Sequence, residues 1–126
     1  MIRVRQLAWA AFTVAAVSAG CSTSLREIRA RDPEFRFAGV AASNHFAVAR
    51  CIRDVLEQGG VDSVAYEIAQ EPDGMHVIGR PDESLSVGAV FFDVAVREDS
   101  VVVRMAPTPV VSGEALRYAV TVCVGG

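Results

Sequence analysis

The stretch Ser112–Gly126, SGEALRYAVTVCVGG, decides how the chain completes its fold, and its residues satisfy two patterns. Tyr118, Val120, Val122 and Val124 alternate as in a strand buried on one face. Leu116, Ala119, Val120 and Cys123 recur at i, i+3, i+4 and i+7, the spacing of one helix face. Ser112 is a suitable N-cap. Glu114 falls in the first turn, where the helix dipole favours an acidic side chain. Gly125-Gly126 can close the end. A second stretch tips the balance toward helix. From Ser43 or Asn44 as cap to about Gln58, Val48, Cys51, Ile52, Val55 and Leu56 follow i, i+3, i+4, i+7, i+8, and Gly59-Gly60 supplies a stop. Each apolar stripe carries one cysteine, Cys51 in the first and Cys123 in the second. Two helices lying side by side would bring those sulfurs together.

Between the two helices the period changes from 3.6 to 2. Val64, Tyr66 and Ile68 alternate with Ser63, Ala65 and Glu67. Glu71-Pro72-Asp73-Gly74 is a turn, with Pro presetting the second position and Gly accepting positive φ. Met75–Arg80 returns as a second strand. Ser86–Arg97 reads as a long third strand with Val90, Phe92, Val94 and Val96 on one face. After Glu98-Asp99-Ser100, Val101–Ala106 forms a fourth, ended by Pro107 and Pro109, which cannot donate to a ladder. Glu34–Val40 is either a short strand or an extended lead-in. The expected fold is α+β: a two-layer sandwich of helix, four-stranded antiparallel meander and helix, both helices on one sheet face. The other face would carry Glu67, His76 and Asp93 toward solvent.

The first 20 residues have the three parts of a secretory signal: Arg3 and Arg5, an apolar stretch Gln6–Val17, and small residues Ser18-Ala19-Gly20 before Cys21. The apolar stretch is short for a bilayer span, which takes about 20 residues. Val17-Ser18-Ala19-Gly20-Cys21 resembles the lipobox of bacterial lipoproteins, departing from it only in Ser18, where Leu is usual. The resemblance implies cleavage before Cys21 and acylation of its thiol and new amine. Ser22 after it implies the outer membrane, facing the periplasm. Ordinary cleavage after Ala19 is the alternative. The chain has three cysteines. Acylation of Cys21 leaves Cys51 and Cys123, which can pair as a structural disulfide in an oxidising compartment. The expected organisation is a signal at 1–20, a polar tether at 21–34, and an α+β domain at 35–126.

Removing Arg3 and Arg5 with the signal takes the formal net charge from −3 to −5. That sign argues against a nucleic-acid partner. No Cys-x-x-Cys, no Gly-x-Ser-x-Gly and no metal-ligand spacing occurs, so no catalytic residue, metal or cofactor is assigned. His45 is expected at a helix start and His76 on a solvated strand. Glu71, Asp73, Asp82, Glu83, Glu98 and Asp99 read as solvated turn residues. Arg50, Arg53, Arg97 and Arg104 could meet an anion or a partner's carboxylates. Phe91, next to an inward Phe92, is a candidate partner contact. The mature chain also resembles small envelope lipoproteins of unassigned function, through its Cys51-bearing helix, its strands and its Cys123 near the C-terminus. That resemblance carries no active site. The expected function is a non-enzymatic interaction or accessory module contacting another envelope protein. The alternative is a binding module holding a small envelope ligand in a groove between helices and sheet.

Overall fold

The structure, a computed structural model, describes residues 23–38, 44–59, 63–82 and 88–124. The signal sequence, the lipobox and Cys21 lie outside these residues. The elements in chain order are α1 (Leu25–Arg29), β1 (Phe35–Ala38), α2 (His45–Gln58), β2 (Val64–Glu71), β3 (Gly74–Pro81), β4 (Phe92–Val96), β5 (Ser100–Met105) and α3 (Gly113–Val124). The C-terminal stretch is therefore a helix. The Ser112 hydroxyl caps it by accepting from the Ala115 amide at 3.1 Å. Asn44 caps α2 in the same way through Ala47.

The sheet has five strands, all antiparallel, in the order β1-β5-β4-β3-β2. The expected four-stranded meander is thus one strand short. Phe35 and Phe37 stand opposite Val103 and Val101 on β5 and pack against the main core. Leaving the β5 edge open would have exposed those rings, which the alternation of Phe35 and Phe37 had left undecided. The third expected strand is shorter than read, since β4 begins only at Phe92. At the β2–β3 turn, Gly74 has φ +142°, and a Cβ there would lie 2.2 Å from the Val96 carbonyl oxygen. Only glycine fits that approach.

The main core joins Val77, Phe92, Val94, Val96, Val101 and Val103 of the sheet to Val48, Ala49 and Ile52 of α2 and Leu116, Ala119 and Val120 of α3. A second cluster joins Ile28 to Ile78, which alternates with Val77 of the main core on β3, and to Val90 and Ala106, which lie just outside β4 and β5. Its centre is Ile28 of α1, which is fully buried. The polar segment 21–34, expected to be a tether, therefore contributes part of the fold. Ser24 and Glu27 form a capping box that starts α1, and Ser24 bridges to Ala89. Leu25 and Ile28 are spaced for one helical turn, which is α1, but two apolar residues among charged ones gave no sign that the turn would be buried.

Candidate functional site

Two places gather chemistry. The first is a charged cluster beneath α1. Arg29 Nη1 donates to Glu71 Oε1 at 2.7 Å, and Nη2 pairs with the other oxygen of the same carboxylate. Arg29 Nε reaches Asp93 Oδ2 at 3.4 Å. Asp93 is 1% exposed and His76 3%. Both had been expected on a solvated face; α1 and Arg29 cover them instead. The His76 ring is held from both sides, Nδ1 2.8 Å from Asp93 Oδ1 and Nε2 2.8 Å from Asp73 Oδ1. Arg97 Nε donates to Asp73 Oδ2 at 3.1 Å.

The electrostatics follow from that geometry. Burial alone would push the His76 imidazole down, but its bonds to Asp93 and Asp73 and their charges raise it above the ordinary value. Burial pushes the Asp73 carboxyl up, yet His76 and Arg97 outweigh this and hold it below the usual range. The bond to Glu71 raises Arg29 further, against the effect of burial and with help from Asp93. A protonated imidazole can donate from both nitrogens at once, one to each carboxylate.

A carboxylate beside His76 is the arrangement that orients a catalytic imidazole. Here, however, both ring nitrogens are engaged. The adjoining cavity of about 130 Å³ is lined by charged side chains alone, among them Arg29, His76, Asp93 and Arg97. Among the described residues it offers no hydroxyl or thiol nucleophile. Glu71, Asp73 and His76 bring ligand atoms within 4.8 Å of one another, a spacing open to a cation. Each is already bonded within the cluster, Glu71 to Arg29, Asp73 to His76 and Arg97, and His76 to Asp93. The cluster as it stands is an ion-pair network that fastens α1 to β3 and β4.

The second place is a groove of about 430 Å³ between the C-terminal half of α2, α3 and β2. Val55, Leu56, Val111, Ala115 and Val122 supply apolar walls, and Gln58 lies at the rim. Both tyrosines of the chain, Tyr66 and Tyr118, line it. Tyr118 is 65% exposed and Val122 43%, so the rim presents apolar surface to solvent. Tyr66 rises from β2 with its ring 6.1 Å from that of Phe92. Its hydroxyl is sealed from solvent and has no hydrogen-bond partner among the described residues. Burial, and next the Glu57 carboxylate, raise its pKa, so the phenol stays protonated as a donor. A buried unpaired hydroxyl costs about 1–3 kcal/mol.

Cys51 and Cys123 form a disulfide joining α2 to α3, with Cα atoms 5.8 Å apart. Phe91 precedes β4, is half-buried and packs against the main core. His45 opens α2 beside a surface hollow shared with Phe46, Asp73 and Glu98. Arg53 pairs with Asp54 and Glu57 on its own helix, while Arg50 is exposed. Arg104 donates to the Arg31 carbonyl. Glu71 and Asp73, read as solvated turn residues, are bonded into the charged cluster. Sequence reasoning did not single out Arg29 or Tyr66. Tyr66 carried one usable signal, as one of the chain's two tyrosines on a strand facing a helix. Comparison of this chain with protein-family models, with curated proteins and with solved structures finds no match.

Proposed function

We propose that the mature protein is an envelope lipoprotein, held at the membrane through acylated Cys21, whose two-layer domain is a non-enzymatic binding module. α2 and α3 form one layer over the sheet, and the groove between them takes an apolar ligand. The observation that carries this reading is the groove itself, of about 430 Å³, with apolar walls and Gln58 beside them. Small-molecule sites run from about 300 to 1,000 Å³ and pair apolar walls with a few polar groups. A contact with another envelope protein through an open sheet face has less support. Ile28, Arg29 and the ion pairs occupy the face it would use, and Phe91 packs inward.

The test uses a feature of the composition. The only Trp, Trp9, belongs to the signal, so the emission of the mature chain comes from Tyr66 and Tyr118, both in the groove. Titration with a neutral naphthylamine dye should give saturable one-to-one binding that changes this emission. Ala115→Trp, which fills the groove from α3, should abolish the binding and leave the far-ultraviolet circular dichroism unchanged. Absence of saturable binding up to the dye's solubility would refute the reading.

A further inference from the structure

The side of the sheet that carries α1 gathers arginines with no carboxylate to match them. Arg104 alternates along β5 with Val103 and Met105 of the main core, and Arg36 stands opposite Val102, so both are on the face where α1 docks. The Arg31 carbonyl, just after α1, accepts from Arg104 Nε at 3.0 Å and ties that turn to β5. Arg26 is two residues before the buried Ile28, which puts it on the outward side of a helix with 3.6 residues per turn. Arg26, Arg31 and Arg36 are exposed, and Arg104 is half-buried. None of the four joins an ion pair among the described residues. Arg29, Arg80 and Arg97 on the same face are instead paired, with Glu71, Glu67 and Asp73. Among the described residues the exposed carboxylates beside the four are Glu27, which closes the capping box at Ser24, and Asp32. Glu34 lies against Gly113 of α3. Four arginines against two carboxylates give this patch a formal charge of +2, in a mature chain of −5, which leaves −7 for the remainder. Asp82, exposed past the end of β3, belongs to that remainder and is two strands from β5, about 10 Å.

The described chain also begins on this face. The Val90 amide holds the Thr23 carbonyl at 2.7 Å, and Ser24 bridges Ala89. Cys21 is two residues before Thr23, at most about 7 Å of extended chain. From this placement we infer that the α1 face docks on anionic phospholipid headgroups, with Arg26, Arg31, Arg36 and Arg104 meeting the phosphates. The inference rests on the anchor at Cys21 and adds the surface that meets the bilayer and the class of lipid it selects. A guanidinium presents a planar fork of donors that fits phosphate oxygens. Basic residues close to an anionic leaflet are attracted within about one Debye length. A patch of +2 on a domain of −5 would hold an unanchored chain only weakly. The anchor changes this, because it makes the encounter intramolecular and the patch then needs only to choose the orientation. The −7 remainder supports the same choice, since any other face would bring negative charge to the headgroups. The groove between α2 and α3 is on the other face of the sheet and stays uncovered.

The mature chain has no Trp, so one introduced Trp reports its own surroundings. Ala30→Trp places it on the exposed C-cap of α1, and Tyr118→Trp on the exposed side of α3. Each acylated chain is bound to vesicles whose lipids carry brominated acyl chains, which quench Trp at the membrane. The vesicles are phosphatidylcholine alone or phosphatidylcholine mixed with phosphatidylglycerol. Ala30→Trp should be quenched more strongly in the mixed vesicles, and Tyr118→Trp should be unchanged between the two. The extra quenching should disappear in about 1 M salt, where the Debye length is about 3 Å. Adding Arg31→Glu and Arg36→Glu to Ala30→Trp should lower its quenching in mixed vesicles to the phosphatidylcholine level, with the far-ultraviolet circular dichroism unchanged. Quenching of Ala30→Trp that is the same in both vesicles, or that survives the charge reversals, would overturn the inference. So would stronger quenching at Tyr118→Trp. Flotation of the chain with the vesicles, lost in Cys21→Ser, tests the anchor separately. A chain that floats without selective quenching of Ala30→Trp keeps its anchor and loses the docking face; a chain that does not float refutes the anchor and the docking face together.

Discussion

Removing the Cys51–Cys123 link should cost this domain a large share of its stability and should loosen one element before the others. The two cysteines are 72 residues apart in sequence, and the chain-entropy model assigns a loop of that length about 4 kcal/mol. Domains of this size have roughly 5–15 kcal/mol in total. Both cysteines are half-buried, so replacing them with Ala removes little core packing and isolates the loop term. With a urea slope of about 1–3 kcal/mol per molar, the unfolding midpoint should fall by about 1.3–4 M. The assay is equilibrium urea unfolding followed by far-ultraviolet circular dichroism, comparing the oxidised protein with Cys51→Ala/Cys123→Ala. The structure also orders the losses. α3 packs chiefly on α2 and more lightly on β5, so the link is a principal restraint on α3. Ala115, Tyr118 and Val122 of α3 form one wall of the groove. Dye binding should therefore disappear from the double variant at urea concentrations where the sheet is still folded. A midpoint shift below about 0.5 M, or coincident loss of binding and of sheet signal, would refute this account of what the disulfide does. Two free thiols in protein prepared under oxidising conditions would refute the pairing itself.

Three further outcomes follow from other parts of the fold. Ile28→Ala should cost about 2–5 kcal/mol in the same urea experiment, because Ile28 is fully buried at the centre of the second cluster; a cost near zero would make residues 24–30 a tether after all. Gly79→Ala should destabilise by about 1–3 kcal/mol or more, since its Cβ would lie 2.1 Å from a ring carbon of Phe92, whose side chain is itself fully buried; an unchanged midpoint would mean that the ring can move. His76 has a folded-state pKa above its unfolded value near 6.5, so its contribution is complete below that value and is lost as the pH rises through the folded pKa. Hydrogen exchange of the α1 amides, compared at pH 6 and pH 9 after correction for the intrinsic rate, should show weaker protection at the higher pH, and His76→Gln should remove the difference.

Much of this architecture was legible in the sequence because long periodic elements are hard to misread. The stripe on α2 marked the buried face correctly, and Val48, Ile52 and Leu56 are all in the core. The helical reading of residues 112–124 relied on Leu116, Ala119 and Val120, each of which is fully buried. What the sequence hid were short elements whose stability comes from tertiary contacts. β1 has four residues and α1 five, too few for a period to be distinct from chance. The same gap explains the misplaced His76 and Asp93. Alternation put them correctly on the face away from the main core, and solvent was the reasonable inference when no covering element had been recognised. The groove was partly foreseeable, since two helices on one sheet leave a furrow between them. The unpaired Tyr66 hydroxyl was not, because whether a phenol finds a partner depends on side-chain positions that spacing does not encode.

α1 and the buried charges beneath it depend on each other. A five-residue helix has no stability of its own, because nucleation fixes several residues for few hydrogen bonds. Its capping box and the buried Ile28 offset part of that cost. Arg29 adds the rest by reaching Glu71 and Asp93. Seen from the sheet, Asp93 is a carboxylate with 1% exposure on a strand in the middle of the order. Its partners are His76 and Arg29. Removing one partner from a buried charge typically costs about 3–5 kcal/mol, more than the intact pair contributes. Undocking α1 would therefore remove the apolar cover of Ile28 and strip Asp93 of Arg29 in one step. In the proposed lipoprotein that coupling has a mechanical consequence. The anchor at Cys21 is three residues from the cap of α1, so tension on the anchor is delivered to the element that completes the charged cluster. The domain is then held close to the bilayer by a docked helix and not by a free tether.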